Sequence, residues 1–370
     1  MEIYPEGIRS RKINNINGIL MHVLEAGYEN NIHKPCLVLL HGFPELAYSW
    51  RKVLLPLANA GYYVIAPDQR GYGYTEGWNN NYDGDISEYE ITNLVKDVIS
   101  LVFTLERKSI ECLIGHDFGS IVAAHASLIR PDIFKKVVLM SAPFEGPPNI
   151  EINAKAMPNN IHKDLENLKN PRKHYQWYYS TKDANKDMTE SKQGLKNFLR
   201  AYYHVKSGDW KNNNPFKLRV WSAEELEKLP GYYVMDFHLN MAEQVHLEMP
   251  SEKEINHCNW LNDKELNYYI TVYKNTGFQG GLNWYRCMID SHVREKLKIF
   301  SDLKITVPSL FIAGKKDWGI YQKPNALENM QNISCTNMHD CLLIEGAGHW
   351  VQQEKPEEVI KLLIRFLSKS

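Results

Sequence analysis

Residues 112–128, Cys-Leu-Ile-Gly-His-Asp-Phe-Gly-Ser-Ile-Val-Ala-Ala-His-Ala-Ser-Leu, decide the fold of this chain. Their apolar start predicts a buried strand, and the segment from Phe118 onward predicts a helix. Gly115 and Gly119 flank Asp117 at the turn, which is the spacing of a strained elbow that lifts a nucleophile above a sheet. A helix N-cap is the competing interpretation of Asp117, but capping explains neither glycine. We therefore predict that Asp117 is a nucleophile.

Apolar runs and helix-like segments alternate on both sides of this elbow. Strands that are buried on both faces read as apolar runs, and their alternation with helices implies a mostly parallel sheet. The sequence thus predicts an α/β fold with helices flanking the sheet. The predicted strands are residues 36–40, 62–66, 112–114, 137–140, 305–313 and 342–344, and the predicted helices are residues 50–59, 86–106, 118–128 and 359–367.

The alternation stops in residues 144–300, where the chain becomes helical and aromatic. We predict one α/β domain formed by residues 1–143 and 301–370, with residues 144–300 inserted as a helical cap. Such insertions lie over the strand ends, where α/β sheets bind ligands. Many of the 21 Tyr, 12 Phe and 9 Trp fall in this insertion. We expect most of these rings to form the core of the cap and some to line an apolar tunnel.

Composition excludes several function classes. The 370 residues carry 43 basic and 44 acidic side chains, and a net charge of −1 gives no electrostatic reason to expect nucleic acid or an anionic membrane as partner. No apolar stretch is long enough to span a membrane, and residues 1–12 do not resemble a secretory leader. Six dispersed cysteines are expected to be buried free thiols in a cytoplasmic protein. No metal-ligand cluster is evident, so we expect no metal and no cofactor.

Two further residues follow predicted strands in positions that suit a catalytic triad. Asp317 ends Gly314-Lys-Lys-Asp after one strand, and His349 lies in Gly-His-Trp after the last strand. The chain order of Asp117, Asp317 and His349 is the order of nucleophile, acid and histidine in the α/β-hydrolase fold. Glu145, in the loop after the strand at 137–140, is the alternative acid.

The loop His41-Gly-Phe-Pro-Glu45 follows the first long apolar strand. In this fold the oxyanion hole takes one backbone N–H from that loop and one from the residue after the nucleophile. Phe43 and Phe118 are therefore the predicted donors. Gly71-Tyr-Gly lacks the spacing of a phosphate loop and predicts a turn, beside which we expect Asp68 and Arg70 to pair with each other.

Together these motifs resemble the epoxide hydrolases of the α/β-hydrolase fold, over most of the chain except residues 182–261. The segments that carry the resemblance in the α/β domain are His41-Gly-Phe-Pro-Glu45, Asp68-Gln-Arg-Gly71, Gly115-His-Asp117 and Gly348-His-Trp350. In the insertion, Gly281-Leu-Asn-Trp-Tyr285-Arg is similar to the family segment with one epoxide-polarising tyrosine. Tyr175-Gln176 looks like the segment with the other, although Tyr178 and Tyr179 are close competitors.

The resemblance implies a mechanism and a pocket. Asp117 would form a covalent ester with a small apolar epoxide, Tyr175 and Tyr285 would polarise the epoxide oxygen, and His349 with Asp317 would activate water to hydrolyse the ester. The substrate pocket would be lined by His41, Pro44, Gln176, Trp284 and Trp350. The oligomeric state, the particular epoxide and the regiochemistry are not readable from the sequence.

Two alternatives remain open at this stage. Haloalkane and haloacetate dehalogenases share the motifs of the α/β domain and the Asp nucleophile. Phe118 replaces the Trp that holds halide in the haloalkane type, which favours the epoxide interpretation. The second alternative is a non-catalytic receptor for a small ligand on the same fold, which an apparently complete set of nucleophile, base, acid and oxyanion loop disfavours.

Overall fold

The structure is a computed structural model that describes residues 4–150 and 160–369. The described residues therefore do not include residues 1–3 of the N-terminal segment, on which the prediction of no secretory leader rests. They also do not include residues 151–159 of the predicted cap. The strands are β1 (Arg9–Ile16), β2 (Ile19–Ala26), β3 (Cys36–Leu40), β4 (Tyr63–Pro67), β5 (Cys112–His116), β6 (Val137–Met140), β7 (Arg172–His174), β8 (Val234–Asp236), β9 (Ser309–Gly314) and β10 (Met338–Ile344).

The helices cluster between β6 and β9. In chain order they are α1 (Leu54–Asn59), α2 (Ile91–Thr104), α3 (Phe118–Ile129), α4 (Ile161–Glu166), α5 (Tyr175–Tyr179), α6 (Ala184–Thr189), α7 (Gly194–Lys206), α8 (Ala223–Leu226), α9 (Met241–His246), α10 (Glu252–His257), α11 (Asp263–Thr276), α12 (Gln279–Ile289), α13 (Ser291–Leu297), α14 (Ala326–Asn329), α15 (Val351–Glu354) and α16 (Pro356–Leu367). None of these described helices has both the length and the apolar character needed to cross a bilayer.

Eight strands of the described chain form one sheet in the order β1-β2-β4-β3-β5-β6-β9-β10. β1, β2 and β4 pair antiparallel, and every pair from β4 to β10 is parallel. The predicted α/β fold with a mostly parallel sheet is confirmed. The antiparallel hairpin β1–β2 was not predicted, because most of the edge strand β1 is exposed and it therefore lacks a continuous apolar run.

The sheet has an apolar layer on each face. Leu37 and Leu39 of β3 contribute to one layer, which α1 and α16 complete, whereas Val38 and Leu40 contribute to the other. Alternate residues of a strand point to opposite faces, so a run of five apolar residues fills both layers. The second layer continues into the insertion between β6 and β9, so the cap shares a core with one face of the sheet.

The predicted pair of Asp68 and Arg70 is wrong, because each residue has other partners. The Asp68 carboxylate bonds to His22 Nδ1 at 2.7 Å and accepts the Ala47 N–H at 2.8 Å. The Arg70 guanidinium pairs with Asp97 at 2.8 Å. These interactions tie the segment after β4 to β2 and to α2.

Candidate active site

Asp117 sits on a sharp turn between β5 and α3, at φ 52° and ψ −120°. Only glycines fit beside it: a Cβ on Gly115 would lie 2.1 Å from the Gly119 oxygen, and a Cβ on Gly119 would lie 2.4 Å from the Leu40 oxygen. The Asp117 side chain makes no hydrogen bond to the first turn of α3, so it does not cap the helix. Instead its Oδ1 accepts the Phe43 N–H at 2.9 Å. The elbow thus directs the carboxylate toward the loop after β3.

His349 lies between two carboxylates. Its Nδ1 is 3.1 Å from both carboxylate oxygens of Asp317, and its Nε2 is 3.3 Å from Oδ2 of Asp117 without a well-aligned hydrogen bond. Asp317 is held in turn by the Gly319 N–H at 2.7 Å. The structure therefore brings Asp117, His349 and Asp317 together. The alternative acid Glu145 pairs with Lys323 instead.

The electrostatics of this group favour two carboxylates with an imidazolium between them. Burial disfavours the charged ring, but attraction to Asp317 and the closeness of Asp117 outweigh burial and raise the pKa of His349 to about 9. Burial also disfavours ionised Asp117, yet the closeness and charge of His349 hold the pKa of that carboxyl well below its usual range. At neutral pH the resting nucleophile is therefore ionised.

Tyr285 is carried by α12, whose start lies against the Gly71 turn of the α/β domain. A Cβ on Gly280 would lie 2.1 Å from the Gly71 oxygen, so only glycine permits this approach. The Tyr285 ring packs edge-on against Phe118 and Phe43, with ring centroids 4.9 and 5.5 Å away. Burial and then the charge of Asp117 raise the pKa of Tyr285 well above its usual value, so its hydroxyl keeps its proton.

Tyr175 begins α5 and lies 5.8 Å from Tyr285 between ring centroids. Its hydroxyl donates to Gln322 Oε1 and accepts from Gln176 Nε2, both at 3.2 Å. Burial raises the pKa of Tyr175 as well. The competitors are directed elsewhere: Tyr178 donates to Asp187 at 2.9 Å and Tyr179 bonds to Tyr202 at 3.1 Å.

A cavity of about 530 Å³ joins these groups, and Asp117, Tyr175, Gln176 and Tyr285 line it. A neighbouring cavity of about 250 Å³ lies beyond Phe118, and the expected pocket residue Trp284 lines that one. The larger volume lies in the range of clefts that bind small organic ligands.

Three residues expected in the pocket, His41, Pro44 and Trp350, do not line either cavity. Each is buried and used in internal hydrogen bonds. His41 Nε2 accepts the Gln69 N–H at 3.1 Å, the Pro44 carbonyl accepts the Tyr203 hydroxyl at 2.9 Å, and Trp350 Nε1 donates to the Tyr203 carbonyl at 2.8 Å. These side chains support the walls of the site.

A second buried pair lies directly behind the triad and was not assigned a role from the sequence. His116 Nδ1 donates to Glu45 Oε2 at 2.5 Å, and its Nε2 donates to the His349 carbonyl at 2.7 Å. Because both partners are acceptors, the ring is fully paired only when both nitrogens carry hydrogen. Glu45 also accepts Gln352 and Gln353 at 2.9 Å each. In the sequence, the only indication of the His116–Glu45 pair is that His116 directly precedes Asp117 in the elbow.

No group of three or more His, Cys, Asp or Glu is arranged to hold a metal ion in residues 4–150 and 160–369. The six cysteines are free, and four of them are buried as expected, whereas Cys258 and Cys341 are only partly buried. The remaining predicted site residue, Phe118, packs its ring against Tyr285, while its backbone N–H starts α3 beside Asp117.

Comparison with known proteins gives consistent results. A family model described as alpha/beta hydrolase fold matches residues 35–356. Epoxide hydrolase B of Mycobacterium tuberculosis is 32% identical over 365 residues, which cover 96% of this chain and 97% of that protein. The structure of an epoxide hydrolase from an endophytic Streptomyces superposes with a TM-score of 0.78 at 27% identity, covering 98% of this chain and 96% of the other. Potato (Solanum tuberosum) epoxide hydrolase I gives a TM-score of 0.74 at 27% identity, with coverages of 98% and 100%.

Proposed function

Because this chain belongs to the epoxide hydrolases of the α/β-hydrolase fold, we propose that it opens epoxides to vicinal diols through a covalent ester on Asp117. The observation that carries the proposal is that one cavity is lined by the Asp117 carboxylate and by two protonated phenols, Tyr175 and Tyr285. A nucleophile and two acids that face the same space suit the opening of a strained ether. We also propose that the division into an α/β domain and a cap at residues 144–300 serves this arrangement.

In the first step Asp117 attacks an epoxide carbon. Its Oδ2 is the attacking oxygen, because Oδ1 is held by the Phe43 N–H. As the carbon–oxygen bond of the ring breaks, a phenol of Tyr175 or Tyr285 transfers its proton to the developing alkoxide and later recovers one from solvent. General acid catalysis of this kind contributes about 10²–10⁴-fold to a rate.

The second step hydrolyses the ester. His349, oriented by Asp317, removes a proton from water, and the water oxygen attacks the ester carbonyl. The oxyanion on Oδ1 is stabilised by the Phe43 N–H and, in this proposal, by the Phe118 N–H. The tetrahedral intermediate then breaks the bond between its central carbon and the alkoxy oxygen, and the leaving diol takes the proton from His349. Asp117, which now carries one oxygen from water, returns its remaining proton to solvent and is again a carboxylate.

The nucleophile has to be a carboxylate if the second step is to regenerate the free enzyme. Attack by a serine hydroxyl would leave an ether, which water does not cleave readily. Attack by Asp117 leaves an ester, which a base and an oxyanion hole can hydrolyse.

A single-turnover reaction in ¹⁸O-water tests the covalent route. With excess enzyme we expect the label in the Asp117 peptide and unlabelled diol, as measured by mass spectrometry. Label only in the diol would show direct attack of water on the epoxide and would overturn the mechanism. A parallel panel of epoxides and haloalkanes separates the rival function, because halide release without diol formation would identify a dehalogenase.

A further inference from the structure

Lys206, the last residue of α7, is a buried cation with an unusual environment. Four basic side chains are buried among the described residues: Arg51, Arg70, Arg200 and Lys206. Each arginine has a carboxylate oxygen at 2.8 Å. Lys206, 4% exposed, has no carboxylate of the described residues within ion-pair distance. Because an unpaired buried charge is costly, its position calls for a compensating interaction.

Aromatic rings surround the ammonium instead. Its Nζ lies 5.0–5.8 Å from the ring centroids of Tyr202, Tyr232, Tyr233 and Trp350. It makes one hydrogen bond, to the Tyr202 hydroxyl at 3.5 Å. Ring faces attract a cation, and the C-terminal end of a helix does the same through its dipole. Burial lowers the pKa of Lys206, whereas these interactions and the charges of Asp117 and Asp317 favour its charged form without placing a carboxylate beside it.

Lys206 is also attached to the catalytic histidine. Its backbone carbonyl accepts the His349 N–H at 2.8 Å. Trp350 is near both side chains, with its ring centroid 4.7 Å from that of His349 and 5.6 Å from Nζ of Lys206. The ammonium is therefore one ring away from the proposed base, and it comes from the cap rather than from the sheet.

A count of charges shows what this cation can do. In the resting site, Asp117 and Asp317 balance Lys206 and protonated His349. Esterification removes the charge of Asp117, and Asp317 then balances Lys206 alone when His349 is neutral. Without Lys206, the negative charge of Asp317 in the ester form would be balanced only if His349 were protonated. A protonated imidazole ring cannot accept a proton from water.

We propose that Lys206 is a positioning residue that keeps His349 in its neutral, proton-accepting state in the alkyl-enzyme. This inference rests on the proposed function. The direction of the electrostatic effect agrees with it, since the charge of Lys206 lowers the pKa of His349 against the pull of Asp317. The other titratable groups that face His349 or Lys206 are Asp117, Asp317, His116, Glu45, Glu354, Tyr202, Tyr232 and Tyr233. Glu354 accepts the N–H groups of Gly348 and Trp350 at 2.9 Å each, and burial raises its pKa to about 7, so a shift of the limb is assigned to Lys206 only when Lys206→Arg reverses it.

The test is the pH dependence of the two chemical steps, measured separately by rapid quench in single turnover. We expect Lys206→Met to move the low-pH limb of ester hydrolysis upward by about one pH unit, which slows hydrolysis about tenfold at pH values on that limb. Formation of the ester should change by less than about threefold, because Asp117 stays ionised. Lys206→Arg keeps the charge and should return the limb to its wild-type position.

Tyr232→Phe is the matched control, because it alters the same aromatic surroundings by removing the hydroxyl that bonds Asn213 at 2.9 Å but leaves the charge in place. Its hydrolysis limb should coincide with wild type. If Lys206→Met does not fold, Lys206→Gln serves as the neutral variant, since its amide can retain the bond to Tyr202.

The inference would be overturned if a folded Lys206→Met or Lys206→Gln variant kept the low-pH limb of ester hydrolysis at its wild-type position. It would also be overturned if the rates of ester formation and ester hydrolysis fell equally at every pH. Either result leaves the proposed function intact if wild type forms the ester. Absence of an ester in wild type would instead defeat the proposed function itself.

Discussion

The two ends of the candidate site are built by different parts of the chain and in different ways. At the sheet end, Asp117, Asp317 and His349 are held by backbone N–H groups, by each other and by a buried pair behind them. At the cap end, Tyr175 is held by two amide side chains at 3.2 Å, and the hydroxyl of Tyr285 has no hydrogen bond to a described residue. Burying an unpaired charge costs far more free energy than burying an unpaired neutral hydroxyl. The comparison predicts that single changes at the sheet end are severe and that single changes at the cap end are partly tolerated.

Removing the nucleophile should have the largest effect. We expect Asp117→Asn to lower turnover by about 10⁴-fold or more, because an amide neither attacks an epoxide nor forms the ester. Asn also tolerates the positive φ of the elbow, so the melting temperature should stay near that of wild type. Diol formation is measured alongside the mass of the elbow peptide, which excludes deamidation. Substantial turnover by the intact amide would place the nucleophile elsewhere.

Removing the base should stop the cycle halfway. With His349→Gln we expect ester formation to continue and its hydrolysis to fall by about 10³-fold or more, since no group remains to deprotonate water. The elbow peptide should then carry the mass of the substrate. Asp317→Asn is the companion variant, and it should also accumulate the ester, because the ring that activates water for hydrolysis loses its orientation. A clean unmodified peptide in both variants would show that His349 acts before the ester forms.

The phenols test the other half of the comparison. Tyr285→Phe should slow ring opening by about 10²-fold, and Tyr175→Phe by less, because the Tyr175 hydroxyl already donates to Gln322 in the resting site. Tyr175→Phe with Tyr285→Phe should abolish opening, because no acid remains for the alkoxide. The rates are single-turnover rates of ester formation. Tyr178→Phe, a phenol directed at Asp187, controls for loss of a cap hydroxyl. Equal rates for the double variant and wild type would mean that another group protonates the alkoxide.

The sequence predicts the sheet end better than the cap end for a physical reason. Asp117, Asp317 and His349 each follow a strand of a parallel sheet, and such strand ends converge at one edge. Gly115 and Gly119 lie beside Asp117 in the sequence, so the strained backbone of the elbow can be predicted from neighbouring residues alone. Tyr285 was found only through the resemblance of its segment to a family. Lys206 was not found at all, because Tyr232, Tyr233 and Trp350, which surround its ammonium, come from distant parts of the chain.

Sequence proximity to a motif was a poor guide to the pocket. His41, Pro44 and Trp350 adjoin residues of the site, yet their side chains pack behind it. Neighbouring residues of a turn point in different directions, and the sequence does not say which of them faces the ligand. The edge strand β1 was missed for a related reason, since one exposed face leaves no apolar run.

The smallest expected effect lies where the two ends meet. The Tyr203 hydroxyl of the cap donates to the Pro44 carbonyl at 2.9 Å, one residue from the Phe43 N–H that holds Asp117. Tyr203→Phe should lower the free energy of unfolding by about 1 kcal/mol, the usual cost of one buried hydrogen bond, and should leave an unpaired carbonyl in the loop that stabilises the oxyanion.

Denaturant unfolding measures the first effect and single-turnover ester hydrolysis the second, for which we expect a loss of about threefold. Tyr82→Phe is the matched control, because Tyr82 donates to the Ser180 carbonyl at 2.9 Å in a half-exposed contact far along the chain from the oxyanion loop. It should change stability by less than about 0.5 kcal/mol and leave hydrolysis unaltered. The contrary outcome is a Tyr203→Phe variant that has a lower free energy of unfolding and still hydrolyses the ester at the wild-type rate. That result would show that this contact from the cap stabilises the fold but does not affect catalysis by the residues at the sheet end.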